Sequence, residues 1–194
     1  MLNRPRLISA LLLASAGLAF LGAPPAEARV FMTREQALGM VLGERTEFRR
    51  ESVFPTGKQL SLARALAGKG VEIREAPLTR YTGWKDGTLL GTAYLDTHLV
   101  RTLPQTVLVF VDASGELLTI EILSFGEPEE YLPRKNWLRQ FDGRILDDDL
   151  AIGGKIHGMT GATLSAHAVT DAARRTLAMH QVLEAGDPVG ETGP

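Results

Sequence analysis

Apolar and polar residues alternate along the middle of the chain in the way that is typical of β-strands. Turn sequences centred on Gly87 and Gly115 each separate two such runs, which predicts two hairpins. A shorter run at Val71–Glu75 is predicted as a further strand. The four longer strands are predicted at Leu78–Trp84, Thr88–Asp96, Thr106–Asp112 and Glu116–Ser124.

The strand at Thr106–Asp112 is apolar on both faces, because Val107, Val109 and Val111 alternate with Leu108 and Phe110. A strand of this kind lies inside a sheet that is covered on both sides. The following strand alternates Ile120 and Ile122 with Glu121, and this pattern predicts one face open to water.

Helical periodicity appears before and after this sheet. Thr33 and Gln36 form a capping box for a helix over Arg34–Gly43. A second helix, packed on the sheet, begins at Thr56 or Gly57 and ends at Gly68. Glu44–Pro55 is compatible with a strand or an extended connection. Two later helices are predicted at Arg134–Phe141, with Trp137, Leu138 and Phe141 on one side, and at Ser165–Leu183.

The remaining segments show no regular pattern. Two prolines exclude regular structure from Gly126–Pro133. The acidic run Asp147–Asp149, and the pair Arg174 and Arg175 on the last helix, are predicted to be solvated. Together, the predicted elements indicate an α+β fold of one domain. Helices flank a twisted antiparallel sheet of about four to six strands, and the final helix follows a turn of small residues.

The ends of the chain have a different composition. Arg4 and Arg6, the apolar run Leu7–Ala23 and the small-x-small sequence Ala26–Ala28 predict a secretory signal peptide over residues 1–28. An uncleaved anchor in the inner membrane is the alternative. We divide the rest into an N-terminal helical segment (29–70), a main domain (71–185) and a disordered tail (186–194).

Composition narrows the classes of function. The net charge is −2 and no basic run forms a face, which argues against nucleic acid as a partner. The chain contains no cysteine, so disulfides, thiolate metal sites and haem attachment through Cys-x-x-Cys-His are excluded. The four histidines have no metal-ligand spacing, and no metal site is predicted.

The stretch His157–Arg175 combines a turn of small residues with a long helix. Gly158, Gly161 and Ala162 let a ligand approach the backbone, and the helix start offers free N–H groups and a partial positive charge. Physical chemistry therefore predicts a phosphate or anion site near Thr163. A merely capped helix is the alternative, and the P-loop lysine is absent.

The run Thr160–Ser165, Thr-Gly-Ala-Thr-Leu-Ser, resembles the FMN-binding domain family, which includes the flavin-carrying subunits of sodium-pumping NADH:quinone oxidoreductase and small exported flavoproteins. The resemblance extends over about Val71–Leu183 and includes Gly91–Asp96 and the Gly126–Pro133 segment. It implies that Thr163 carries FMN through a phosphoester bond, with Thr160, Gly161 and Ala162 completing the motif.

The resemblance also implies a maturation partner, a flavin transferase that uses FAD and magnesium and releases AMP. The remaining predicted contacts of the cofactor are Leu164, Ser165 and His157 beside the motif, and Trp137, Tyr131 and Phe141 as borders of the flavin ring. The family usually has Asp where this chain has His157, so covalent and non-covalent attachment of FMN both stay open.

The resemblance implies that the protein is an electron-transfer flavoprotein rather than a substrate-converting enzyme. It would exchange electrons with membrane or periplasmic redox proteins, such as cytochromes or quinone-linked complexes, after export to the periplasm. A non-covalent flavin sensor or assembly module of a respiratory complex is one alternative, and a structural domain without a cofactor is another.

Overall fold

A computed structural model describes residues 28–43 and 45–186 of the protein. It shows an antiparallel sheet of six strands with helices on both faces, which confirms the predicted α+β class. The predicted signal peptide, apart from Ala28, and the predicted tail beyond Gly186 lie outside the described residues.

The six strands are Arg29–Val30 (β1), Glu47–Val53 (β2), Leu78–Lys85 (β3), Thr88–Leu99 (β4), Pro104–Asp112 (β5) and Leu117–Phe125 (β6). The four α-helices are Arg34–Leu42 (α1), Gly57–Ala67 (α2), Lys135–Leu138 (α3) and Thr163–Glu184 (α4), and 3₁₀ turns occupy Glu129–Tyr131 and Arg139–Phe141. In the sheet the strand order is β1-β6-β5-β4-β3-β2, and every pairing is antiparallel.

Strand β5 lies inside the sheet and is buried on both faces, as its sequence predicts. Its valines Val107, Val109 and Val111 pack in the core that includes residues of α4, such as Leu177. Phe110, on the opposite face, packs in a second cluster with residues of α1. The alternation of the strand therefore places a helix on each side of the sheet.

The capping boxes of α1 and α2 are present. Thr33 Oγ1 accepts from Gln36 N at 3.2 Å, and Thr56 Oγ1 accepts from Gln59 N at 3.3 Å. Helix α2, however, packs mainly against α4 rather than on the sheet, because the buried face that includes Leu60 meets the later turns of α4.

One local prediction is wrong. Val71–Glu75 forms no strand, since the buried Ile73 has its carbonyl bound to the Arg64 guanidinium, at 2.9 Å from Nη2, and Pro77 follows soon after. The proline-rich Gly126–Pro133 segment is irregular except for its 3₁₀ turn. The strand β1, which sequence patterning did not predict, pairs with the end of β6.

The final helix begins at Thr163, two residues before the predicted start at Ser165. Thr163 is therefore the first residue of α4 rather than part of the preceding turn. Within the described residues, no helix is both long enough and apolar enough to cross a membrane.

Candidate functional site

The turn before α4 is shaped by residues with little side chain. Gly161 has φ +79°, a left-handed conformation that favours glycine, and nothing lies within 4 Å of the position of its absent Cβ. Ala162 occupies the N-cap position and makes no side-chain capping bond. The N–H groups of the first helical turn are therefore left for a ligand, and the helix dipole favours an anion there.

A cleft of about 240 Å³ opens at this helix start. One wall is the end of the turn and the first residues of α4, and the other comes from the connection between β4 and β5 and the segment after β6. The described residues that line the cleft are Val100, Arg101, Glu127, Tyr131, Gly161, Ala162, Thr163, Leu164 and Ser165.

The side chains at the start of α4 differ in exposure. Thr163 is exposed, so its hydroxyl is accessible, and Leu164 is 51% exposed. Ser165 is 1% exposed, and within the described part of the chain its Oγ has no hydrogen-bond partner. Because buried polar groups are nearly always hydrogen-bonded, an unpaired hydroxyl in the lining of a cleft indicates a missing ligand or water.

The opposite wall is held in place by Glu127. Its Oε1 accepts from the backbone N of Thr102 at 2.8 Å, of Leu103 at 2.9 Å and of Arg101 at 3.2 Å. Partial burial raises the pKa of Glu127, but the three N–H groups lower it more, so the net pKa lies below its usual value. The carboxylate therefore fixes the β4–β5 connection, and Arg101 brings a cationic side chain to the cleft.

The chain that leads into the turn is fixed at His157. Trp137 Nε1 donates to the His157 carbonyl at 2.8 Å, and the His157 N–H donates to Gln140 Oε1 at 2.8 Å. Gln140 Nε2 in turn donates to the Trp137 carbonyl at 3.1 Å. The main role of Trp137 and Gln140 in this structure is thus to hold the backbone just before the turn.

The predicted site residues are partly brought together. Tyr131 and the five residues from Gly161 to Ser165 line one cleft. Trp137, His157 and Thr160 lie outside the lining that the described residues form, although the first two contact each other. Phe141 is 0% exposed and packs edge-to-face on Trp137, with ring centroids 5.4 Å apart, so it belongs to the core.

Sequence reasoning missed Val100, Arg101 and Glu127 as parts of the cleft. The Gly126–Pro133 segment is part of the family resemblance, but its sequence does not indicate that Glu127 binds the backbone N–H groups of the β4–β5 connection. Arg101 lies in a connection of no distinctive pattern. Only the pairing of β4, β5 and β6 brings these residues to the start of α4.

The prediction that Arg174 and Arg175 are solvated is wrong. Arg174 donates to three backbone carbonyls, those of Ala67, Asp147 and Leu150, at 2.7 to 3.0 Å. Arg175 binds Asp96 with two hydrogen bonds of 2.6 and 2.7 Å, and both side chains are about 15% exposed. The acidic run is also partly engaged, since Asp147 accepts from Lys155 Nζ at 2.7 Å.

Part of the chain matches a known protein family. Residues 103–178 match a family model described as FMN-binding domain. The matched range runs from the start of β5 through the turn at Gly161 and most of α4, so it includes Thr163 and the residues of its cleft other than Val100 and Arg101. No curated protein matches the chain.

Proposed function

Because the chain belongs to the FMN-binding domain family through residues 103–178, we propose that it is an exported flavoprotein with FMN bound covalently to Thr163, and that it transfers electrons outside the cytoplasm. FMN is the cofactor of the matched domain. The observation that carries the proposal is the exposed Thr163 hydroxyl at the first position of an uncapped helix, in a cleft with an unpaired buried Ser165 hydroxyl.

The residues present suit a flavin phosphate. The first-turn N–H groups and the α4 dipole favour its negative charge, and Arg101 adds a positive charge from the opposite wall. The dipole contributes only about 0.3–2 kcal/mol, which is too little to retain FMN by itself. A covalent bond would keep the cofactor in place where free FMN is scarce.

The proposed attachment requires an external enzyme. Thr163 Oγ would attack the phosphorus on the flavin side of FAD, the bond between that phosphorus and the bridging oxygen would break, and AMP would leave. The hydroxyl proton would pass to a base of a magnesium-dependent flavin transferase. We infer this external base because a threonine hydroxyl is a weak nucleophile and α4 presents no capping side chain beside Thr163.

FMN supplies the capacity to accept and donate electrons, whereas the protein supplies position and environment. The exposed Leu164 beside Thr163 offers an apolar contact at the edge of the cleft to a membrane or periplasmic redox protein. Export is supported by the sequence of residues 1–28. Cleavage after Ala28 would leave Arg29, the first residue of β1, as the new N-terminus.

Covalent attachment is tested by co-expressing the full chain with a flavin transferase. We expect flavin fluorescence on a denaturing gel and an intact mass increased by FMN minus one water. Thr163→Ala should abolish both signals, because it removes the acceptor oxygen. The same mass spectra report whether the chain begins at Arg29.

Two matched variants serve as controls for this experiment. Thr163→Ser keeps a hydroxyl and should retain the adduct, and Thr160→Ala changes the other threonine of the motif without removing the acceptor. Fluorescence that survives in Thr163→Ala would refute attachment at this residue. Flavin that co-purifies with the native wild-type chain but separates on the gel would favour non-covalent binding, with His157 in place of the family's usual Asp.

Electron transfer needs a separate measurement. The flavin-loaded chain, reduced with dithionite and freed of excess reductant, should be reoxidised rapidly by a periplasmic c-type cytochrome in a stopped-flow experiment. Leu164→Asp should slow this reaction when the rate is measured per bound flavin, because it replaces an apolar contact at the edge of the cleft with a charge and leaves the acceptor Thr163 in place. Reoxidation no faster than by buffer alone would favour a sensor or assembly role.

A further inference from the structure

A second cleft, of about 260 Å³, lies between α4 and the part of the chain that precedes the matched family domain. Arg175 and Thr176 line it from α4, twelve and thirteen residues after Thr163. At 1.5 Å per residue, Arg175 lies about 18 Å along the helix from Thr163. The cleft is therefore a site distinct from the turn Gly158–Ala162 before α4, the proposed site of FMN, which is called the flavin turn below.

The lining of this cleft is about half apolar and half polar. Its apolar part is contributed by α2, the irregular segment after it, β3 and the later part of α4, through Leu60, Ile73, Leu78 and Met179. Leu60, Ile73 and Met179 are also members of the cluster in which α2 packs against α4. The N-terminal helical segment thus creates a cavity that the matched domain alone would lack.

Polar groups line the same cleft, at Asp96 and His98 of β4. Asp96 is bound by Arg175 from α4, and its Oδ1 also lies 2.7 Å from His98 Nδ1. The His98 side chain is 9% exposed, and among the described residues its Nε2 is buried with no hydrogen-bond partner. A buried ring nitrogen without a partner in the lining of a cavity indicates a ligand group that is absent from the protein itself.

The contact with Asp96 fixes which nitrogen of a neutral His98 ring carries the hydrogen. Burial raises the pKa of Asp96, but hydrogen bonds from Arg175 and His98 lower it to about 2, so Asp96 is a carboxylate that only accepts. His98 Nδ1 therefore donates to it, and in the neutral ring Nε2 is the acceptor. A ligand that satisfies Nε2 of the neutral ring must present a hydrogen-bond donor.

The charges around the cleft are balanced. Asp96 is paired with Arg175, and Glu72 is paired with Arg74 at 3.0 Å. No net charge is left to attract an ion, so a neutral ligand fits the lining best. A rigid ring suits the apolar half of this lining because it loses little conformational entropy on binding, and the thioether of Met179 packs well on aromatic rings.

We propose that this cleft binds a small neutral molecule with an apolar aromatic ring and a hydroxyl group, and that His98 Nε2 accepts the hydrogen bond of that hydroxyl. Nε2 is shielded from solvent, so the ligand reaches it by displacing a lining side chain. The unbranched Met179 is the most adaptable of them.

The probe for this site is 2-naphthol, and 2-methoxynaphthalene is its matched control without a donor. The full chain, labelled at the methionine methyl groups, is titrated with each compound and followed by NMR. We expect the Met179 methyl signal to shift and those of Met40 and Met159 to stay in place, since the latter two do not line the cleft. We expect 2-naphthol to bind at least about fivefold more tightly, in line with roughly one neutral hydrogen bond.

Three variants separate the parts of the proposal. His98→Phe keeps a ring but removes the acceptor, so the two compounds should bind with equal affinity. Leu78→Trp fills the cleft from β3 and should block both compounds. His167→Phe changes an exposed histidine of α4 outside the lining and should behave like the wild type.

Several results would overturn the proposal. Equal affinity of the two compounds for the wild type would show that no group of the protein forms a hydrogen bond with the hydroxyl. A shift of the Met159 methyl signal instead of the Met179 signal would place the ligand at the flavin turn. Unimpaired binding to Leu78→Trp would exclude the cleft. Should His98→Phe fail to fold, the wild-type affinity ratio and the Leu78→Trp result still decide.

Discussion

At the scale of single residues, the pair of Asp96 and Arg175 is the most consequential contact outside the flavin turn. It joins the inner strand β4 to α4 by two hydrogen bonds, with both side chains about 85% buried. Removing one member of a buried ion pair leaves an uncompensated charge and costs about 3–5 kcal/mol. The contact therefore holds α4 against the sheet.

We expect acid to weaken this contact in a defined range. The folded pKa of Asp96, about 2, is below the unfolded value, so its stabilisation is fully present above about pH 4 and is lost as the pH falls toward 2. The free energy of unfolding should fall by about 2 kcal/mol from this group over that interval. Urea denaturation at a series of pH values measures it.

The variant Asp96→Asn should flatten this part of the pH profile and be less stable at neutral pH. Glu72→Gln removes a partner of the exposed Arg74 pair and should leave both stability and profile almost unchanged. An Asp96→Asn profile with the wild-type slope between pH 2 and 4 would contradict the assignment of that slope to Asp96.

At the scale of elements, the sheet tolerates no side chain at one glycine. Gly91 of β4 pairs with Gly83 of β3 and with Asp112 of β5. A Cβ at Gly91 would lie 2.6 Å from the Val111 carbonyl oxygen, which is a backbone atom that cannot turn away. Close approach of two strands therefore requires glycine here.

Two glycine substitutions should have opposite effects. Gly91→Ala should destabilise the protein by about 1–3 kcal/mol, because strands β4 and β5 must separate. Gly39→Ala, in the middle of α1 with nothing within 4 Å of the added methyl, should stabilise it by roughly 0.5–1 kcal/mol. Thermal unfolding followed by circular dichroism measures whether each substitution raises or lowers the stability. A Gly91→Ala variant more stable than the wild type would contradict the close approach of β4 and β5.

At the scale of the whole molecule, Arg174 connects parts that are far apart in sequence. One guanidinium binds the end of α2 at Ala67 and the loop at Asp147 and Leu150 that precedes the flavin turn. Three backbone carbonyls accept hydrogen bonds from this side chain. The N-terminal segment, the matched domain and the approach to the turn thus share one contact.

We expect Arg174→Met to destabilise the protein by at least about 1–3 kcal/mol, since the carbonyls lose their donor while the apolar stem is kept. Native-state hydrogen exchange should speed up at residues 147–156 and in α2 more than in β5. Arg174→Lys keeps a charge and should recover part of the loss. Uniform acceleration throughout the protein would argue against a local connecting role.

The sequence alone determined much of the architecture. The alternation of apolar and polar residues predicted β3 to β6, and capping boxes predicted the starts of α1 and α2. Because Val107–Val111 is apolar on both faces, the sequence also predicted that β5 lies inside the sheet. These signals are local, because strand period, capping and turn chemistry act over a few residues. The motif Thr160–Ser165 predicted the FMN-binding domain that residues 103–178 match, and it did so for the same reason, since its residues are contiguous in the chain.

Only the tertiary structure decided what surrounds that motif. One cleft brings together Glu127, Arg101 and the buried Ser165 hydroxyl, because β4, β5 and β6 pair with one another. Hydrogen bonds hold Arg174 and Arg175, because α2, β4 and a distant loop supply their partners. A charged side chain on a helix has the same sequence pattern whether its partner is water or a carboxylate far along the chain. Burial, which decides between them, exists only once the chain is folded.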